Sequence, residues 1–466
     1  VCLQGDLPIG VGYTSIEVWA WPRNFKLSMC AGAPPDSFSS DGQNWQFPTY
    51  DWDYMKKDNY HWWYLRLNRM NTYFKALRID HILGFYRIWE IPRDKCIRGL
   101  LGHFNPCYPI SKIDLDVRGL FDMDRYFKPY IRHHILLNKF HNDETVNEII
   151  ETFLIPRNSD SNDDYYDFKP EFDTEKKVHK KLLEMFPNDS QKLLFYQKGL
   201  FELLGNVLLI RDPENPKQYH VRTFMTTESI KVENGQKVKV VSSSWDELPE
   251  PAKSRMKELY YYFTFQRQND TWIEESKSKL NVLENATNML ICAEDLGQMT
   301  DSIVDSIRNS SMLSLHVQRM SKTNHNLFDD YRNFQYNSVC CPSTHDMGTL
   351  REWWETEDHE VIERFWKEQL GEYNSPPPQT CEIWVQEMII KQHFYSNSMW
   401  AMFLLQDLTG LCQSLRKQSP QNERINDPSN PDQRWCYRYP YSIDELINNE
   451  EFTSKLKEIA RDSGRL

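Results

Sequence analysis

The clearest pattern of apolar and polar positions lies in residues 60–82. Trp63, Leu67, Met70, Phe74 and Leu77 recur at steps of four, three, four and three, which predicts the buried face of a helix. At its end Leu77-Arg78-Ile79-Asp80 alternates apolar and polar, the period of a strand. Leu77 and Ile79 then face one way and Arg78 and Asp80 the other. A helix feeding straight into a strand is the unit of α/β folds. Residues 289–293 (MLICA) form a continuous apolar run that stops at Glu294-Asp295-Leu296-Gly297, and residues 338–341 (SVCC) run into Pro342-Ser343-Thr344-His345-Asp346. Both read as strands buried on two faces, as in a parallel sheet. Weaker strand signals lie at 7–11, 313–317 and 402–405. Residues 179–205 and 260–279 predict helices, and the acidic, polar stretch 159–177 reads as a solvated linker or mobile loop.

Each of the three clear strands ends in acidic residues: Asp80, Glu294 and Asp346. Parallel barrels carry their chemistry at the carboxyl ends of the strands. Between Glu294 and Asp346 there is room for one or two α/β units. More than two hundred residues separate Asp80 from Glu294, far too many for one connecting helix, so an insertion is expected there. The three parts predicted are 1–84, 85–288 and 289–466.

Composition narrows the function. With 40% hydrophobic and 14% aromatic residues the chain is not of the disordered class. A net charge of −12 and a pI near 5.6 argue against nucleic acid as a partner. No run of 18 apolar residues predicts a membrane span. Ten cysteines are scattered without a CxxC pair, which reads as reduced thiols in the cytoplasm. No Gly-rich phosphate loop, metal-spaced His/Cys cluster or Ser–His–Asp arrangement stands out, so no cofactor and no metal are expected.

Carboxylates at strand ends fit the cleavage of a glycosidic bond with retention, which needs one carboxylate nucleophile and one carboxyl group to protonate the leaving oxygen. Arg78 shares a strand face with Asp80 and would keep it ionised. Glu294 follows an apolar strand, a setting that raises its pKa and suits a general acid. The same spacing is equally compatible with a structural Arg78–Asp80 ion pair and a Glu294 that merely precedes a helix.

The motifs decide between these readings. LRIDHILG at 77–84 resembles the nucleophile motif of the 4-α-glucanotransferases (glycoside hydrolase family 77, the amylomaltases and disproportionating enzymes), which are allied to the α-amylases. AEDLG at 293–297 is similar to that family's acid/base motif and STHD at 343–346 to its stabiliser motif. APPDSFSSDGQNWQFPTY at 33–50 resembles the long substrate loop, GDLPIG at 5–10 the strand before it, and PSNPDQRWCY at 428–437 the C-terminal signature. All follow the family's order along almost the whole chain.

The resemblance implies an α/β fold, a (β/α)₈ TIM barrel of the α-amylase type, with a large, mostly helical insertion after the nucleophile strand. It also implies that the chain, which opens at Val1, starts at the third barrel strand, with any starch-binding modules lying ahead of it. Asp80 would be the nucleophile, Glu294 the acid/base and Asp346 the group that holds the distorted donor sugar. Arg78, His81 and His345 match positions that bind the sugar or the nucleophile. Gln43 and Trp45 lie in the substrate loop, where an amide reads hydroxyls and an indole stacks on a sugar face, and Asp6 matches the foot of the site. Maltose, malto-oligosaccharides and a branched or linear α-glucan are the partners implied. Two features depart from the common pattern: Gln46 stands where the family usually has Gly, and the long insertion resembles the plant-type cytosolic branch. An α-glucan hydrolase would share the same acids, and a silent glucan-binding scaffold would share the fold.

Overall fold

The computed structural model describes residues 2–36, 39–157, 164–223, 229–233, 236–240, 242–297, 299–322, 326–428, 430 and 433–466. Parts of three sequence signals lie outside the described residues: 37–38 of the substrate loop, 159–163 of the acidic stretch, and 429 and 431–432 of the C-terminal signature. The chain divides into two compact units, one of Val1–Ile9, Asn59–Tyr86 and Glu275–Leu466, the other of Gly10–Asp58 and Arg87–Glu274.

The first unit is built on a six-stranded parallel sheet: β1 (Gln4–Leu7), β2 (Ala76–Ile79), β3 (Leu290–Ala293), β4 (Leu313–Val317), β5 (Ser338–Cys341) and β6 (Trp400–Ala401). Neighbours in space are neighbours in chain order, and every pairing is parallel. Each connection must therefore cross over, and helices such as Asp301–Arg308 between β3 and β4 do so. Strands β3 and β5 are buried along almost their whole length. Leu77 and Ile79 are fully buried, and Cys292, Leu313, Leu315, Val317, Val339 and Cys341 pack into one cluster. Burial on both faces is why β3 and β5 read as continuous apolar runs.

Strands β4 and β5 match their sequence signals residue for residue, and β3 does so within one residue. The signals at 7–11 and 402–405 are displaced, because β1 ends at Leu7 and β6 at Ala401, each short of the apolar stretch that drew attention. The helix before β2 is shorter than its periodicity suggests. It spans His61–Met70, and Thr72 hydroxyl donation to the Arg69 carbonyl (2.7 Å) helps close it. Phe74 leaves the helical face and lies against Gly5 of β1, where an added Cβ would come within 2.6 Å of its ring. Trp62 and Trp63 are both core residues of this helix.

The second unit holds a four-stranded antiparallel sheet in the order Gln43–Tyr50, Phe25–Ala33, Ile88–Pro92, His103–Asn105. It also holds the helices His133–Phe140, Asp143–Phe153, Glu175–Met185 and Ser190–Leu204, which close on a core that includes Leu136, Ile149, Phe153, Leu182 and Leu200. The single helix expected at 179–205 is two, broken at Pro187-Asn188 and restarted by the Asp189 cap, and the one at 260–279 is likewise two, Glu250–Phe265 and Asn269–Asn285. The acidic stretch is not all loop. Tyr165–Phe168 forms a strand paired with Leu154–Pro156, because Phe168 is buried in the helical core, and Thr174 then caps the next helix. All ten cysteines are free thiols. Among the described residues no helix is long and apolar enough to cross a membrane.

Candidate active site

The carboxylates leave the sheet where its ladder stops. Asp80 N–H still donates to the Leu7 carbonyl (3.0 Å) and Glu294 N–H to the Ile79 carbonyl (3.0 Å), so both side chains start one residue beyond a strand. Register places Asp6 of β1 beside Arg78 of β2. Arg78 is the hub. Its Nη1 donates to both oxygens of Asp6 (2.9 Å each) and to Asp80 Oδ1 (3.3 Å), and its Nη2 lies 3.8 Å from Asp346 Oδ2. Burial works against the guanidinium charge, but Glu294, Asp6 and Asp80 outweigh it and raise its pKa.

Asp80 accepts a further bond from the Ile9 N–H (3.4 Å). The expected effect of Arg78 is present, since it pulls the Asp80 pKa down. Burial is larger, and Asp346 and Asp6 add like charge, so the net shift is upward. The sequence could not show that three acids share one cation.

Glu294 sits deeper, with 9% of its surface exposed. Burial first, and then the charges of Asp80 and Asp295, push its pKa up to about 8 against the pull of Arg78 and of the His81 N–H. His81 adopts a left-handed conformation (φ 45°), which costs a non-glycine residue roughly 1 kcal/mol. That turn aims its N–H at Glu294 Oε2 (2.9 Å) and the Ile82 N–H at the Glu294 carbonyl (3.0 Å). Asp295 anchors the far side of this loop to β4, accepting from Ser314 Oγ (2.6 Å), the Leu315 N–H (2.8 Å) and Lys322 Nζ (2.6 Å). Gly297, at φ 110°, closes the AEDLG turn in a conformation that needs glycine.

Asp346 pairs with His345 Nε2 at 3.0 Å. Burial would raise its pKa, but His345, Asn426 and Arg78 together bring it below the ordinary value, and the same contact raises that of His345. The Trp435 ring lies 5.0 Å from the His345 ring and is 62% exposed. Asn426, which donates to Asp346 Oδ1 at 2.8 Å, was not singled out from sequence. It stands two residues before the signature at 428–437, and no spacing rule marks it. The structure thus brings Asp6, Arg78, Asp80, Glu294, His345 and Asp346 together, with the His81 backbone. Among the described residues no group of three or more His, Cys, Asp or Glu side chains could hold a metal ion.

Residues 1–444 match the sequence profile of the family described as 4-alpha-glucanotransferase. The chain belongs to that family, glycoside hydrolase family 77. It is 40% identical over its whole length to the 4-alpha-glucanotransferase DPE2 of Oryza sativa subsp. japonica, and spans 47% of that relative. A chloroplastic/amyloplastic 4-alpha-glucanotransferase of Solanum tuberosum is 41% identical over 110 residues, 22% of this chain and 19% of its own. In fold, the whole chain aligns with 58% of an amylomaltase from Streptococcus agalactiae solved in complex with acarbose, at a TM-score of 0.50 and 18% identity. The α/β architecture of the family is therefore the architecture here.

Gln43 and Trp45 belong to the second unit, on the strand Gln43–Tyr50. Trp45 Nε1 donates to Gln43 Oε1 (2.8 Å), and its ring stacks on Phe47 at 5.9 Å. Gln46, where the family usually has Gly, is held at φ 58° with its N–H bonded to Asn44 Oδ1 (3.1 Å). Gln46→Gly is expected to raise stability by about 0.5–1 kcal/mol, since relief of the left-handed turn exceeds the added freedom of the unfolded chain. Thermal melting of the two proteins checks this, and a lower Tm for the variant would contradict it.

Proposed function

We propose that the protein carrying this chain transfers glucosyl units between α-1,4-glucans by double displacement. The observation that supports this best is the difference in partners of two acids at the ends of adjacent parallel strands, a guanidinium on Asp80 and a backbone N–H on the more deeply buried Glu294. Asp80 is bound to Arg78, and Glu294 is buried with a pKa raised to about 8, so it carries a proton at neutral pH. Asp80 attacks the anomeric carbon of the donor, the glycosidic C–O bond breaks, and the leaving oxygen takes the Glu294 proton. The glucosyl unit is then an ester on Asp80. Glu294, now anionic, removes the proton of an acceptor hydroxyl, which attacks the same carbon from the opposite side and frees Asp80. Asp346 holds the donor's hydroxyls and favours ring distortion toward the oxocarbenium-like state. Arg78, His81, His345 and Asp6 surround that sugar, and Gln43 and Trp45 bind glucan from the substrate loop.

Maltose and malto-oligosaccharides are the proposed donors, and a branched or linear α-glucan the acceptor. Closure of the parallel sheet into a (β/α)₈ barrel is part of the same reading, supported by six strands in chain order. A cytoplasmic site of action is supported by ten free thiols, eight of them not exposed.

The test is to incubate the full-length protein with maltose and glycogen. Glucose release with lengthening of glycogen chains is expected. Glucose without lengthening means hydrolysis, and binding without turnover means a scaffold. The pH profile gives a second check. Glu294 must be protonated to begin the cycle, so kcat/KM for maltose falls as pH rises through about 8. Asp80 must be ionised, so kcat/KM also falls as pH drops through a value above the usual aspartate range. A profile still rising from pH 7 to 9 would contradict the assignment of Glu294.

A further inference from the structure

Asn426 follows the short helical turn Pro420–Glu423 and is 9% exposed. It touches the STHD loop at two points. Its side-chain amide donates to Asp346 Oδ1 (2.8 Å), and its backbone N–H donates to the His345 carbonyl (3.1 Å). Its own carbonyl accepts from Arg424 Nε (3.0 Å), and Arg424 in turn lies 3.5 Å from both Glu352 and Asp427. The backbone that carries the amide is thus held from behind by a charged cluster.

We propose that Asn426 is a positioning residue for glucosyl transfer, holding the Asp346 carboxylate in the rotamer that meets the donor sugar. The inference rests on the reading of Asp346 given above. A carboxylate has about four lone-pair positions. Oδ2 faces the His345 imidazole (3.0 Å) and the Arg78 guanidinium (3.8 Å), and these alone would let the group swing about its Cβ–Cγ bond between two partners. The neutral amide on Oδ1 fixes the plane of the group without adding charge, and leaves lone pairs for sugar hydroxyls. Placement of a reacting-centre group to within an ångström is worth on the order of 100-fold in rate. The backbone bond to His345 fixes the residue before Asp346, so side chain and loop are set by one residue. The charged groups facing Asp346 are His345 on its own loop, Arg78 and Asp80 at the end of β2, and Asp6 on β1 through its contacts with Arg78 and His345 (4.0 Å).

Asn426→Ala, Asn426→Asp and Asp346→Asn are compared in the full-length protein, with thermal melting to establish folding. N426A is expected to lose about 10- to 100-fold in kcat with little change in KM for maltose. The pH dependence separates positioning from structure. In N426D a carboxyl group faces Asp346 at hydrogen-bond distance. At acid pH the two share a proton, and the new group donates as the amide did. At alkaline pH both are charged and repel. The ratio of kcat/KM for N426D over N426A should therefore exceed one at the acid end and fall below one at the alkaline end, an acidity common to both variants cancelling in the ratio. A ratio flat with pH overturns the proposal, whatever the loss in Tm. If D346N is inactive and the ratio is flat, only the role of Asn426 falls. If D346N turns over like the parent, the role of Asp346 falls and that of Asn426 with it. Should N426D fail to fold at alkaline pH, the acid branch decides, with a ratio of one or less against the proposal.

Discussion

Asp80→Asn is expected to lower glucan transfer by about four to six orders of magnitude while leaving the protein folded, the loss typical of removing a covalent nucleophile. The amide is nearly the size of the carboxylate and keeps one oxygen to face Arg78 Nη1, which now sits 3.3 Å from Asp80 Oδ1. What it lacks is the charge that attacks the anomeric carbon. Stability should hold, because burial and the neighbouring acids already make the charged form of Asp80 costly in the folded protein. Activity is read as glucose released from maltose in the presence of glycogen, and folding as the thermal melt. Turnover within tenfold of the parent would move the nucleophile to another residue.

Glu294→Gln is expected to have a loss that depends on the leaving group. Maltose needs its departing oxygen protonated, so transfer from maltose should fall by at least about 1,000-fold, a loss in the range of general acid catalysis. α-Glucosyl fluoride leaves without such help, so the first step should largely survive and glucosyl-enzyme should accumulate for want of a general base. The stability signature runs the other way. The folded-state pKa of Glu294 is raised to about 8, so folding favours its protonated form, and the cost of its charge is absent below the ordinary carboxylate pKa and grows until pH passes about 8. Gln carries no such charge. The variant's Tm minus the parent's should thus increase between pH 5 and pH 8, by the equivalent of roughly 2 kcal/mol or more at about 1.4 kcal/mol per pKa unit. This difference is independent of any fixed penalty from turning an amide N–H toward the His81 N–H. Equal loss of the first step, read as the burst of glucose from maltose and of fluoride from glucosyl fluoride, would contradict the acid/base role.

Much of the parallel sheet was legible because its strands are buried on both faces and end abruptly in charge. Leu290–Ala293 and Ser338–Cys341 are such runs. Strands β1 and β6 were read out of place, because the apolar stretches at 7–11 and 402–405 begin where these strands end, at Leu7 and Ala401. The helix ending at Met70 was read too long, since Phe74 keeps a helical interval while packing under Gly5 by tertiary contact. The three acids were legible from their places after strands. Their coupling was not. The sharing of Arg78 with Asp6, and the approach of the His81 N–H to Glu294, depend on pairings across more than seventy and more than two hundred residues of chain. Asn426 lay beyond the reach of spacing for the same reason. The left-handed turn at Gln46 was foreshadowed by the glycine usual there in the family, a case where a residue exchange carries backbone information.

The claim that a glucosyl unit passes through Asp80 is tested most directly by trapping that intermediate. The Glu294→Gln protein is mixed with α-glucosyl fluoride, quenched in acid, digested and mapped by mass spectrometry. The account predicts one added glucosyl unit on the peptide that contains Asp80, lost on prior substitution of Asp80 by Asn. A glucosyl unit on any other residue, or release of inverted product with no adduct at any time, would contradict it.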